Sequence, residues 1–168
     1  NAVADGEQFL GVDTTKMPVL SVMCEDDEDE VKRRQLSINQ ARSIDEFGAA
    51  PANLTLWPRV GFDNVICRFP NGTDEPGEFY GELCSKVEAV KGNSEHMLLL
   101  LDTAADHFGG SENTRLEVNQ FLKRYLGAIA VKYGATVILL AHPSLAGMKN
   151  GMSGSTAWEN SVRSRAFL

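Results

Sequence analysis

Three cysteines in 168 residues are too few, and too scattered, for a disulfide framework. Cys24, Cys67 and Cys84 are odd in number and contain no CxxC pair, so they read as reduced, mostly buried thiols of a cytoplasmic protein. The histidines are equally sparse. His96, His107 and His142 fall in no HExxH and at no zinc-ligand spacing, and His96 and His107 read as surface or loop residues. No apolar run approaches the roughly 20 residues of a membrane span. The first residues, Asn1 to Asp5, carry neither the basic start nor the apolar core of a secretory signal. Asn53 and Asn71 match the glycosylation acceptor pattern, but without secretory features the match has no consequence. Positive charge is also short: 16 Lys and Arg face 23 Asp and Glu, a net charge of −7. Such a surface does not attract polyanions as a whole. Any contact with DNA would be local, through a few basic side chains, and sensitive to salt.

What is present is an alternation of strands and helices within one domain, residues 1–168. Residues 18–24 are a continuous apolar run of strand length. Asp26 and Asp27 can cap a helix that follows to about Ala41. Residues 53–57 and 63–68 are short β-rich pieces, and 71–77 is a turn-rich loop. Residues 78–91 read as a helix closed by Gly92. The run 97–101 is a second fully apolar strand, followed by a loop over 103–113. Residues 114–133 carry apolar side chains at helical spacing (Leu116, Phe121, Leu122, Tyr125, Ile129, Val131), with Gly134 as the C-cap. Residues 136–141 are a third apolar strand. A loop rich in Gly, Ser and Met spans 143–154, then a short helix near 155–160 and a final strand from 162. Trp57 and Trp158 read as packing residues.

Strands apolar on both faces and separated by helices predict an α/β fold, a mainly parallel sheet with helices on both faces. In such sheets ligands bind at the carboxyl ends of the strands. The residues there are Glu25, Asp102 and His142. An Asp at the tip of an apolar strand is how many phosphate-transferring sheets hold Mg²⁺, and the Thr103 hydroxyl would assist; the alternative is an Asp that only caps the next turn. Glu25 is placed to activate a water for attack on a γ-phosphate, or else belongs to an acidic helix start with Asp27 to Glu30. An imidazole at His142 would hydrogen-bond a terminal phosphate, or serve the structure alone. Arg163 and Arg165 suit phosphate, or are solvated arginines at a strand edge.

Taken in order, these stretches become specific. Leu101-Asp-Thr-Ala-Ala-Asp-His-Phe-Gly-Gly110, Leu140-Ala-His-Pro-Ser144 and Gly154-Ser-Thr-Ala-Trp-Glu-Asn-Ser-Val-Arg-Ser-Arg165 resemble the RecA-like ATPases, and within them the RepA-like hexameric helicase group. Glu25-Asp-Asp followed by Val31-Lys-Arg-Arg fits as well. The resemblance covers nearly the whole chain and is least distinctive over 45–95. It implies a motor that hydrolyses ATP with Mg²⁺, a homo-oligomeric ring and single-stranded DNA as partner, with no membrane. Asp102 would be the Walker B acid, Glu25 the general base and His142 the γ-phosphate sensor. Arg163 would be an arginine finger acting on the neighbouring subunit, with Arg165 the second choice. Loops 104–113 and 143–153 would face the channel, with Lys149 and Ser153 as DNA contacts.

One departure counters these matches. The family's phosphate-cradling loop, GxxxxGK[ST], does not occur in these residues. The opening Asn1-Ala-Val-Ala-Asp-Gly6 looks like the end of the helix that follows such a loop, and Leu168 falls inside an apparent strand. The expectation is a partial RecA-like domain, incomplete at the N-terminus, where the strand beside 136–141 is absent, and at the C-terminus. Such a piece would not hydrolyse ATP alone. Two other readings remain: an ATP-gated regulatory or recombinase-type oligomeric module that unwinds nothing, and a binding domain that has lost the loop.

Overall fold

The computed structural model describes residues 1–44, 49–142 and 155–166. In chain order its elements are α1 (Ala2–Asp5), β1 (Val19–Met23), α2 (Glu28–Ala41), β2 (Leu54–Pro58), β3 (Cys67–Arg68), β4 (Glu75–Pro76), α3 (Glu78–Lys91), β5 (Met97–Asp102), α4 (Ala104–His107), β6 (Phe108–Gly109), α5 (Arg115–Gln120), a π-helical segment (Phe121–Leu126), α6 (Gly127–Tyr133), β7 (Ala135–Leu139) and α7 (Ala157–Asn160). The helix over 78–91 has the bounds its sequence predicts, and Gly134 ends α6 in the left-handed region at φ 62°.

The main sheet has the order β2-β1-β5-β7, and each of its pairings is parallel. β1 and β5 lie at its centre because their side chains are apolar on both faces. On one face Leu20, Val22, Met97, Leu99 and Leu101 are fully buried in a core that includes Phe79, Leu83 and Val87 of α3 and Phe121 and Ile129. On the other face Val19 and Leu98 pack with Ala4 of α1 and with Leu54. The sheet is therefore covered by helices on both sides. Among the described residues β7 pairs only with β5, and Ile138 and, just beyond the strand, Leu140 are 42% and 45% exposed. A second, three-stranded sheet, β4-β3-β6, lies apart from the first.

Several expectations change. The strand proposed over 63–68 shrinks to Cys67–Arg68 and joins the small sheet, since Asp63 and Asn64 are occupied in side-chain bonds to the neighbouring loop. The 103–113 loop begins with a helical turn, because Thr103 and Asp106 form a capping box. His107 is not a surface residue: it is fully buried, stacked on Phe79 at 5.7 Å. The helix over 115–133 is one rod interrupted by a π-helical segment. Leu116 and Val131, expected on its apolar face, are 60% and 87% exposed. Each lies two residues, about 200° of helical turn, from a buried position, Val118 or Ile129, so both face outward while Phe121, Leu122, Tyr125 and Leu126 hold core positions. The same region converges on one carboxylate: Asp74 accepts from Gln120 (2.9 Å), Arg124 (2.5 Å) and the Tyr125 hydroxyl (3.0 Å). Residues 161–166 form no strand. Ser161 is bonded to Asn119 and Arg165 to Glu159, and residues 161–166 take no strand pairing among the described residues.

Both tryptophans pack against the core as expected, and the thiols are free. Cys24 and Cys67 are buried, which pushes each up to about 12, while Cys84 is half-buried.

Two measurements test this core. Leu99→Ala removes a fully buried side chain at the centre of β5 and should destabilise the fold by about 2–5 kcal/mol in urea unfolding. Burial lowers the pKa of His107 below its ordinary value, against the opposing hydrogen bond to Asn64 and the Asp106 charge and with a smaller push from Arg59. The unfolded chain then binds more protons than the folded one below about pH 6.5, so stability should fall as pH drops through that value. His107→Asn should flatten this slope between pH 7.5 and 5.5.

Candidate functional site

The parallel register places the chemistry. Met23 of β1 is paired with Asp102 of β5, and the ladder runs one step further, with the Cys24 N–H donating to the Asp102 carbonyl at 2.9 Å. Glu25 therefore leaves the sheet beside Asp102. On the other side Leu101 pairs with Leu139, and the N–H of Ala104 donates to the Leu140 carbonyl at 2.7 Å. This brings the chain after β7 to the same edge. His142 Nε2 lies 3.4 Å from Glu25 Oε1. Three residues 25, 102 and 142 positions along the chain thus share the carboxyl edge of the sheet.

The acidic run after β1 divides by partner. Asp27 caps α2 by accepting from the Glu30 N–H at 2.8 Å. Asp26 accepts from Arg34 at 2.5 Å, and Glu28 pairs with Lys32. Glu30 binds Arg33 and Arg34, whose guanidinium hydrogen bonds pull its carboxyl down to about 2. Four of these acids serve the helix start. Glu25 instead pairs with His142, and its side chain is half exposed.

Asp102 is partly buried. That burial raises its carboxyl above the ordinary carboxylate range, the nearby Glu25 and Asp26 raise it further, and His142 opposes them. The edge is thus a place of excess negative charge with access to solvent. Thr103 lies almost wholly inside. Its hydroxyl donates to Asp106 Oδ2 at 2.8 Å, and its backbone N–H reaches the same oxygen at 3.2 Å. The Asp102–Thr103 peptide is cis.

Other expected site residues lie elsewhere. Arg163 is exposed, with no hydrogen bond or ion pair to a described residue, and Arg165 is paired with Glu159. Their segment is tied to α5 and its approach, through Ser161 on Asn119 and the Ser155 N–H on the Glu112 carbonyl. No contact among the described residues joins Arg163 to the strand ends. Lys149 and Ser153 lie outside the described residues.

Behind the edge sits a layer that sequence reasoning missed. His107 Nδ1 is 3.0 Å from the Asn64 carbonyl, and its Nε2 faces Cys24 Sγ at 3.8 Å. Arg59 is also buried, with its guanidinium 4.6–5.0 Å from the ring centres of Phe79, Phe62 and Trp57. It donates to Asn64 Oδ1 at 2.9 Å and to Glu82 at 2.9 Å. The Thr103-x-x-Asp106 spacing is a capping signal that could have revealed α4, and with it the inward turn of His107.

Among the described residues no three His, Cys, Asp or Glu side chains converge as a metal cage. A cage is not what Mg²⁺ needs: it keeps several waters and takes one or two carboxylates plus phosphate oxygens. The oxygen donors of Asp102 and Glu25, with charge left uncompensated, fit that pattern.

Among the described residues no helix is long and apolar enough to cross a membrane. No curated protein matches the chain. A family model described as an AAA domain matches residues 1–148, most of the chain. With the parallel sheet and the acids at its carboxyl edge, this match shows that the chain belongs to the AAA domain family of nucleotide-binding ATPases.

Proposed function

We propose that these residues form the hydrolytic half of an ATP-driven motor, a RepA-like DNA helicase that works as a homo-oligomeric ring. The observation that carries this reading is the convergence of Glu25, Asp102 and His142 on one sheet edge, with Met23 and Asp102 in register and Glu25 3.4 Å from His142.

Each residue then has a task that follows from its surroundings. Asp102, at the rigid tip of a buried strand, holds a Mg²⁺ directly or through its waters. The metal supplies charge neutralisation on the phosphate oxygens when bound. Glu25 is half exposed, which leaves its carboxylate free to orient a water and take its proton. His142, which arrives from β7 on the other side of β5, donates a hydrogen bond to a terminal phosphate and senses its loss. Its contact with Glu25 links the sensor to the base. Arg163, exposed and unpaired among the described residues, serves a neighbouring subunit as the arginine finger; Arg165, held by Glu159, is less free to reach out. The loops over 104–113 and 143–153, with Lys149 and Ser153, approach single-stranded DNA.

The test is ATP turnover by the full-length protein with and without single-stranded DNA. Glu25→Gln should abolish turnover, by about a hundredfold or more, and leave nucleotide binding intact. Turnover like wild type would remove Glu25 from the mechanism. Hydrolysis without strand displacement would favour the regulatory or recombinase-type alternative. Asp102→Asn should also abolish turnover, and it should stabilise the fold at neutral pH. The sign follows from the raised carboxyl: the folded state disfavours the ionised form, so the penalty is present above the folded pKa and vanishes below the unfolded one. Thermal melting at pH 7 checks this.

A further inference from the structure

The buried histidine behind the acidic edge takes no part in the steps above, yet it touches the segment that leads into Glu25 and closes the turn that follows Asp102. His107 ends α4, the turn that starts directly after Asp102 and Thr103. Its Nδ1 lies 3.0 Å from the Asn64 carbonyl, in the loop after β2. A carbonyl only accepts, so Nδ1 carries the proton and donates. In the neutral ring Nε2 is then the lone-pair nitrogen, and it faces Cys24 Sγ at 3.8 Å. The Cys24 S–H is the donor placed to meet that lone pair. Cys24 is the residue before Glu25, and its own N–H is bound to the Asp102 carbonyl. The His107 carbonyl in turn accepts the Ile66 N–H at 2.9 Å.

The ring is also held in its plane by the stack on Phe79. The far end of the brace is fixed rather than floating. Asn64 Nδ2 donates to the Arg59 and Phe62 carbonyls, and the buried Arg59 guanidinium holds Asn64 Oδ1. The Arg59 N–H donates to the Met23 carbonyl at 2.7 Å, which closes the circuit on β1. A buried polar network satisfied at each of these atoms specifies one arrangement of the elements it joins.

We propose that His107 is a positioning residue for hydrolysis: as a neutral, Nδ1-protonated ring bridging the Asn64 carbonyl and the Cys24 thiol, it fixes the separation between Glu25 and Asp102. The inference rests on the ATPase reading of that edge. A misplacement on the order of 1 Å between reacting groups can cost about a hundredfold in rate while substrate affinity barely changes. A brace of this kind should therefore act on kcat and leave KM alone.

The experiment uses the full-length protein and compares His107→Phe with His107→Asn. Phenylalanine keeps the stack on Phe79 and removes both hydrogen bonds; asparagine keeps a donor at the Nδ1 position. His107→Phe should lower kcat about tenfold or more, with KM for ATP and the Kd of a non-hydrolysable ATP analogue within about twofold of wild type. His107→Asn should recover most of that loss. Unchanged kcat in a folded His107→Phe protein, a matching loss of nucleotide affinity, or a His107→Asn variant no better than His107→Phe would each overturn the proposal. Should His107→Phe fail to fold, Cys24→Ala decides: a severalfold fall in kcat at constant KM supports the brace, and wild-type kcat overturns it. Glu25→Gln is run alongside. A wild-type protein that turns over no ATP sinks the ATPase reading itself. A wild type that turns over and is silenced by Glu25→Gln, with His107→Phe still active, sinks only the role of His107.

Discussion

The parallel pairing of β1 with β5 is the constraint on which the rest depends. It sets Val19 against Leu98 and Met23 against Asp102, and it is enforced by burial, since Leu20, Val22, Leu99 and Leu101 have no exposure at all. A slip of one residue would turn each strand's buried row toward the opposite face. The register that keeps these leucines inside is the same one that brings Glu25 beside Asp102. Two carboxylates are thereby held together against their own repulsion by apolar burial several residues away. Elsewhere in the chain acids find cations at once: Glu30 has Arg33 and Arg34, Asp74 has Arg124, Asp5 has Arg42. At the sheet edge the basic group paired with Glu25 among the described residues is an exposed imidazole, His142. The distribution of partners thus differs between the helix start, where the acids are paired with arginine and lysine, and the sheet edge.

The main elements were legible because their signals are local. The unbroken runs 18–24 and 97–101, the Asp27 cap and the stop at Gly92 each depend on residues within a turn or two of one another. The strand-end rule then located Glu25, Asp102 and His142 without reference to tertiary structure. What escaped was non-local. His107 looks like a loop residue in sequence, and its burial depends on Asn64, Cys24 and Phe79, which lie far from it along the chain. The π turn escaped because helical spacing assumes 3.6 residues per turn throughout. Leu116 and Val131 are apolar, but each lies two residues from a buried position, Val118 or Ile129, and so faces the opposite side of the helix. The strand expected from 162 was read from composition, and composition does not say whether an edge is available to pair with.

The edge is also layered by polarity. Outermost are Glu25 and His142, which meet water. Asp102 comes next, partly covered. Behind it Thr103, His107, Asn64 and Arg59 are buried, Thr103 bonded to Asp106 and the other three joined to one another. Charge mobility falls with depth. The outer groups meet solvent, while the inner ones are held by buried hydrogen bonds and serve as a bed.

The three thiols follow the same gradient, and this has a practical consequence. Cys24 and Cys67 are covered, and burial holds both protonated far above neutral pH, so neither offers a thiolate to an electrophile. Cys84, on α3, is the one thiol with solvent access, on the helix whose Phe79 stacks on His107 and whose Glu82 pairs with Arg59. Within these residues the native sequence thus supplies a single attachment point for a fluorophore or spin label, on the helix that presses against the bed beneath Glu25 and Asp102.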